Sequence, residues 1–195
     1  MDKKRAVAVR VLVLVALLVG SGSGADVDLA EEFKTFSLDG YFSCEVPQGW
    51  QLLRDDKEQR RGVFQIELIA PGEGPALMTI YVSYFSEDNI YFKDYQDYVE
   101  SNSTDDLGIA AETDKYGPVS TTALSGRKAF EFEREQKEYL HPESPSDESV
   151  ILKEKFYVLP AREGFFVMHF SAPKAVYEKR LPVFDRVART FKGRL

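Results

Sequence analysis

The sequence predicts an α+β fold: a strongly twisted antiparallel sheet with helices on its faces. Three observations lead there. Short segments of alternating apolar and polar residues recur between Gly-, Pro- and Asp-rich turns, the pattern of antiparallel strands. Two segments, one central and one C-terminal, switch to helical spacing. One strand, Phe165 to Phe170, is apolar on both faces and so belongs mid-sheet, covered on both sides.

Each element follows in order. Phe33 to Leu38 alternates loosely, Asp39-Gly40 is a hairpin turn, and Tyr41 to Val46 is the returning strand. Pro47-Gln48-Gly49 turns the chain, and Trp50 to Leu53 resumes extended structure. Arg54 to Arg61 is a charged loop. Val63 to Ala70 places Phe64, Ile66, Leu68 and Ala70 inward, with Gln65 and Glu67 outward. After Pro71 to Pro75, Leu77 to Phe85 makes the antiparallel return. From Asn89 to Asn102, Tyr91, Tyr95, Tyr98, Val99 and Asn102 fall at helical spacing, predicting an amphipathic helix. Val119 to Leu124, a Ser125-Gly126 turn and Arg127 to Arg134 form a hairpin. Glu135 to Ser149 is an exposed tip, Val150 to Leu159 and Phe165 to Ala172 are the last strands, and a helix carrying Tyr177, Leu181, Phe184, Val187, Ala188 and Phe191 closes the chain. Pro182 lies inside that helix, which should kink there or restart with Pro182 in its first turn.

The first 25 residues carry an address. Lys3, Lys4, Arg5 and Arg10 precede the unbroken apolar run Val11 to Val19, followed by small residues ending at Ala25. A basic start, a short apolar core and a small-residue junction make a cleaved secretory signal peptide, residues 1–25, cut after Ala25. The apolar run is about half of the roughly 20 residues a membrane span needs, which disfavours a retained anchor. The expected destination is periplasmic or extracellular. Residues 26–32 are a flexible lead-in, and residues 33–192 form a single domain.

Without the leader's four bases and one acid, 21 bases face 31 acids, a net charge of -10. That balance excludes nucleic acid and anionic membrane surfaces as partners and favours a basic one. Cys44 is the one cysteine, so no internal disulfide forms. It shares a strand face with Phe42 and Val46, which makes it a buried hydrophobe rather than a redox thiol.

Candidate chemistry is sparse. His169 lies in the most apolar strand, a core or near-core histidine or else a base whose partners are remote in sequence. His141 sits among Glu138, Glu143, Asp147 and Glu148 in the exposed tip, without the ligand spacing of zinc or calcium sites. Glu131 and Glu133 share one outer strand face. Neither a nucleophile turn nor a phosphate-binding glycine loop is present, and no cofactor or metal is expected. Asn102-Ser103-Thr104 is a formal glycosylation sequon. Tyr81, Tyr84, Phe85, Tyr91, Phe92, Tyr95 and Tyr98 crowd into eighteen residues, and the junction Tyr84 to Phe92 could leave an aromatic-rimmed surface. Candidate partner contacts are therefore Tyr84, Phe85, Tyr91 and Phe92, together with Glu143, Asp147 and Glu148 of the tip.

The opening Phe36-Ser37-Leu38-Asp39-Gly40-Tyr41-Phe42, with Val46-Pro47-Gln48-Gly49-Trp50, resembles the start of PsbP-like domains. The closing Phe166 to Pro173, then Tyr177 and the Phe184 to Lys192 helix, is similar to their last strand and helix. The resemblance covers residues 33 to 192 and implies an α-β-α sandwich. It also implies a non-catalytic role, as in lumenal photosystem subunits, assembly factors and bacterial envelope proteins. The photosystem members dock through a basic N-terminal extension that this acidic domain lacks, and no docking or metal residue carries over. The expected function is a secreted, soluble, non-enzymatic accessory or assembly protein binding another envelope protein or complex. A binder of a small apolar or aromatic ligand between sheet and helix, and a hydrolase without a recognisable motif, are the alternatives.

Overall fold

Among the described residues the alternating segments form two antiparallel sheets. The computed structural model describes residues 31–72, 76–105, 108, 112–141, 143 and 146–194. The expectations for the leader and for lead-in residues 26–30 lie outside the described residues. Strand β1 (Phe33–Leu38) and β2 (Phe42–Pro47) pair from Phe33↔Pro47 to Leu38↔Phe42, turning at Gly40 with φ +87°. The larger sheet runs β3 (Gln51–Leu53), β4 (Val63–Ile69), β5 (Thr79–Ser86), then β10 (Gly164–Pro173), β9 (Ser149–Ala161), β8 (Arg127–Tyr139) and β6 (Lys115–Tyr116). Strand β7 (Ser120–Leu124) also pairs with β8. The C-terminal Lys192–Gly193, β11, joins β2 and makes the first sheet three-stranded, a separation from the main sheet that alternation alone did not predict.

The central place of β10 is as expected. It lies between β5 and β9, and its side chains divide by parity. Phe166, Met168 and Phe170 enter a core with Ile66, Ile80, Val82 and Leu159. Phe165 and Val167 enter a second core with Val63, Phe85, Phe132 and Phe156. A continuous apolar run is needed because both faces are dry. At the β9–β10 turn, Gly164 has φ +135°, and a Cβ there would lie 2.0 Å from the Phe85 carbonyl oxygen, so only glycine fits.

Among the described residues three helices complete the layers. Helix α3 (Lys174–Thr190) seals the first core with Tyr177, Phe184, Val187 and Ala188. It is one helix through Pro182, which lies on its exposed side, so of the two expected outcomes, kink or restart, the restart does not occur. Helix α2 (Tyr95–Ser103) covers the second core with Tyr98 and is shorter than the Asn89–Asn102 expectation. Asn89 Oδ1 accepts from the backbone N–H groups of Tyr91 and Phe92, holding a turn there, and Asp94 caps the helix by accepting from Asp97 N. The charged stretch Arg54 to Arg61 holds one helical turn, α1 (Asp56–Gln59), capped by Asp55. Strands β8 and β9 also outrun expectation. Their ladder continues to Tyr139↔Ser149, confining the tip to residues 140–148.

Candidate functional site

Beyond α2, the sheet face it covers turns polar. His169 is part-buried, its ring stacked on Phe156 at 4.2 Å and 7° and facing Tyr81 at 5.8 Å. Its Nε2 lies 2.8 Å from Glu154 Oε1. Glu154, 5% exposed, accepts from Arg134 Nε at its other oxygen. The Arg134 guanidinium lies 5.0 Å above Phe156 and donates to Asn102 Oδ1 at 3.4 Å, and Asn102 Nδ2 donates to the Tyr98 carbonyl at 2.8 Å. Across β5, the Tyr81 hydroxyl donates to Glu67 at 2.6 Å. Burial opposes the charged form of Glu154, yet hydrogen bonds and charge from His169 and Arg134 hold its carboxyl at about 2. An imidazole oriented by a carboxylate is half of a general-base pair. Together these contacts join three strands, β8, β9 and β10, to α2.

The junction residues scatter rather than form one patch. Phe85 is buried, stacked on Phe165 at 4.9 Å and 3°, and Phe92 packs edge-on to it at 5.6 Å. Phe85 is thus core and unavailable to a partner, a correction to its expected role. Successive strand residues face opposite ways, which puts Tyr84 on the other face against Tyr41 and Phe166, its hydroxyl donating to the Glu163 carbonyl. Tyr91 is 43% exposed and braced by Arg61 at 2.6 Å and Glu58 at 3.1 Å.

The β8–β9 tip is acidic and exposed. Glu143 and Glu148 lie 4.0 and 3.7 Å from His141, and Asp147 is also exposed. Among the described residues no group of three or more His, Cys, Asp or Glu is placed to hold a metal ion. Rungs Lys137↔Ile151 to Tyr139↔Ser149 continue beyond Leu152, the partner of Pro173 at the end of β10, making a two-stranded arm. Glu131 and Glu133 belong not to an outer face but to the α3 side, paired with Lys155 at 2.9 Å and Lys153 at 3.3 Å, and Glu133 accepts from Tyr177 at 3.0 Å. Cys44 is 1% exposed, and burial pushes its thiol up to about 12.

At the root of the arm, an open cavity of about 680 Å³ is bordered by residues 70–72 and 76–78, the start of β9 and the first turns of α3. Leu77, Met78, Val150, Ile151 and Val176 give it an apolar wall.

No family model matches the sequence, and no curated protein matches it. Solved structures do. The chain is similar to the solution structure of cyanobacterial PsbP (CyanoP) from Synechocystis sp. PCC 6803, with 16% identity over 89% of this chain and 99% of that one, at a TM-score of 0.51. The fold is PsbP-like. A crystal structure from Bacteroides thetaiotaomicron VPI-5482 matches at 15% identity and a TM-score of 0.51, over 83% of this chain and 48% of that one, so this chain spans about half of it. LpqN of Mycobacterium tuberculosis, described as involved in cell envelope biogenesis, aligns at 14% identity over 86% of this chain and 94% of its own, at a TM-score of 0.49.

The resemblance read from Phe36 to Trp50 falls on β1, β2 and the turn after them, and that read from Phe166 to Pro173 falls on β10. Sequence reasoning missed Glu154 and Arg134. The available signal was phase: Glu154 alternates with Leu152 and Phe156, so a carboxylate falls on an inward-facing position.

Proposed function

We propose that the protein is an exported, soluble, non-catalytic accessory or assembly protein that binds a basic surface of another envelope protein or complex. The observation that carries this reading is the β8–β9 arm, which projects Glu138, Glu143, Asp147 and Glu148 beyond the sheet. Exposed acids on a ribbon steer a basic partner and set on-rate and register more than raw affinity. The ribbon is held in place for that work. Asp114 Oδ1 accepts from Lys137 N at 2.9 Å, and Lys137 Nζ lies 4.6 Å above the Tyr139 ring. The basic, apolar leader and the acidic remainder support export and disfavour nucleic acid. No described helix is long and apolar enough to cross a membrane.

The test is crosslinking of the tagged protein in intact cells of its host, beside a Glu143→Lys, Asp147→Lys, Glu148→Lys variant. One reproducible envelope partner, lost in the variant and weakened by salt, is expected. Equal recovery by both proteins would overturn the reading.

A further inference from the structure

Helix α3 separates two oppositely charged ends of the molecule. It leaves β10 at Pro173, whose partner Leu152 marks the root of the arm. It then runs back along the sheet, with Tyr177 against Phe170 at 5.3 Å and Phe191, just past its last turn, against Phe166 at 5.2 Å. A helix of 17 residues rising about 1.5 Å each puts these ends about 25 Å apart. The arm end is acidic. Glu138, Glu143, Asp147 and Glu148 are exposed there, and among the described residues no lysine or arginine pairs with any of them. His141 lies 3.7 Å from Glu148, and the tip residues Pro142, Ser144 and Pro145 add no charge. The other end is basic. Arg189 in the last turn of α3, and Lys192 and Arg194 beyond it, are exposed. The Ser125 hydroxyl donates to the Phe191 carbonyl, tying on the β7–β8 turn that precedes exposed Lys128. Among the described residues no carboxylate pairs with any of these four cations. Nearby acids are engaged, Glu45 by Arg186 at 2.7 Å and Asp185 by Lys155 at 3.9 Å, which leaves Asp39 of the β1–β2 turn against the four. Within one molecule the two ends cannot neutralise each other, because their separation exceeds the screening length of about 8 Å at physiological salt.

We propose that the basic end docks the acidic arm of a second copy of this chain, joining molecules head to tail. Such a contact is heterologous, so it builds short chains rather than a two-fold dimer. Exposed ion pairs are individually weak, and the contact therefore forms at high protein concentration and low salt. The acid excess of the whole chain repels copies that approach in other orientations. The inference rests on the arm being a docking element, as read above, and names a partner for it.

Sedimentation velocity on the purified protein tests it. At about 0.02 M salt the weight-average sedimentation coefficient should rise with protein concentration, and at about 0.5 M salt the rise should vanish. One variant neutralises the basic end with Arg189→Gln, Lys192→Gln and Arg194→Gln. The other neutralises the arm with Glu143→Gln, Asp147→Asn and Glu148→Gln. Each alone should lose self-association, since each lacks one half of the contact. Their equimolar mixture should form a one-to-one dimer and nothing longer, since it offers one arm and one basic end. All six positions are exposed, and urea midpoints confirm that both variants fold. A wild-type coefficient independent of concentration at low salt, self-association by either variant alone, or no dimer in the mixture would overturn the proposal. The variant with the neutral basic end keeps its arm, so its recovery of an envelope partner in intact cells tests the earlier reading separately.

Discussion

His169 Nε2 lies 2.8 Å from Glu154 Oε1, which hooks a ring of the central strand to a carboxylate that Arg134 grips from the other side. Neither strand neighbour could be removed without leaving a buried charge behind. Replacing Glu154 by Ala should therefore destabilise the protein by about 3 to 5 kcal/mol, because Arg134 loses its buried partner. Urea denaturation measures this. A loss under about 1 kcal/mol would mean that the network is ornamental.

Acid should expose the same dependence. The folded Glu154 carboxyl is held at about 2, below the ordinary 4.5. Between those values the unfolded chain binds the proton and the folded one does not, so stability rises with pH there. The contribution is complete above about pH 4.5 and disappears as pH falls through about 2. A urea series across this window should fall by about 3 kcal/mol in the wild type and less in Glu154→Gln.

Two aromatics of the same junction should behave oppositely. Phe85→Ala removes a ring stacked on Phe165 and should cost about 3 to 5 kcal/mol. Tyr91→Ala, at an exposed position, should cost less than about 1 kcal/mol. Paired unfolding curves decide, and similar losses would contradict the placement of Phe85 in the core.

Cys44 should be silent in the folded protein. With its thiol 1% exposed and pushed up to about 12, it should not react with Ellman's reagent until urea unfolds the chain, and then titrate as one equivalent. Rapid native labelling would contradict this.

What the sequence disclosed follows from where its signals are local. The run Phe165 to Phe170 announces a mid-sheet strand because dryness on both faces is written in consecutive residues. The α3 stripe is equally direct. The start of α2 was hidden because Tyr91 matches the helical period while Asn89 bonds its backbone into a turn. The arm was hidden because a ribbon open to water needs no apolar face. The cross-strand rungs Lys137↔Ile151 to Tyr139↔Ser149 hold it. The network around Glu154 was least visible, since Arg134 and His169 lie 20 and 15 residues away and only the register of β8, β9 and β10 unites them.

Asn102 carries a consequence for producing the protein. Its amide nitrogen is spent on the Tyr98 carbonyl and its oxygen faces Arg134. An oligosaccharyltransferase would therefore have to act before folding, and the attached sugar would displace the amide from both contacts, loosening α2 from β8. Secretion from a eukaryotic expression host should give a glycoform less stable than bacterial material, and Asn102→Asp would spare it the sugar while placing a carboxylate beside Arg134.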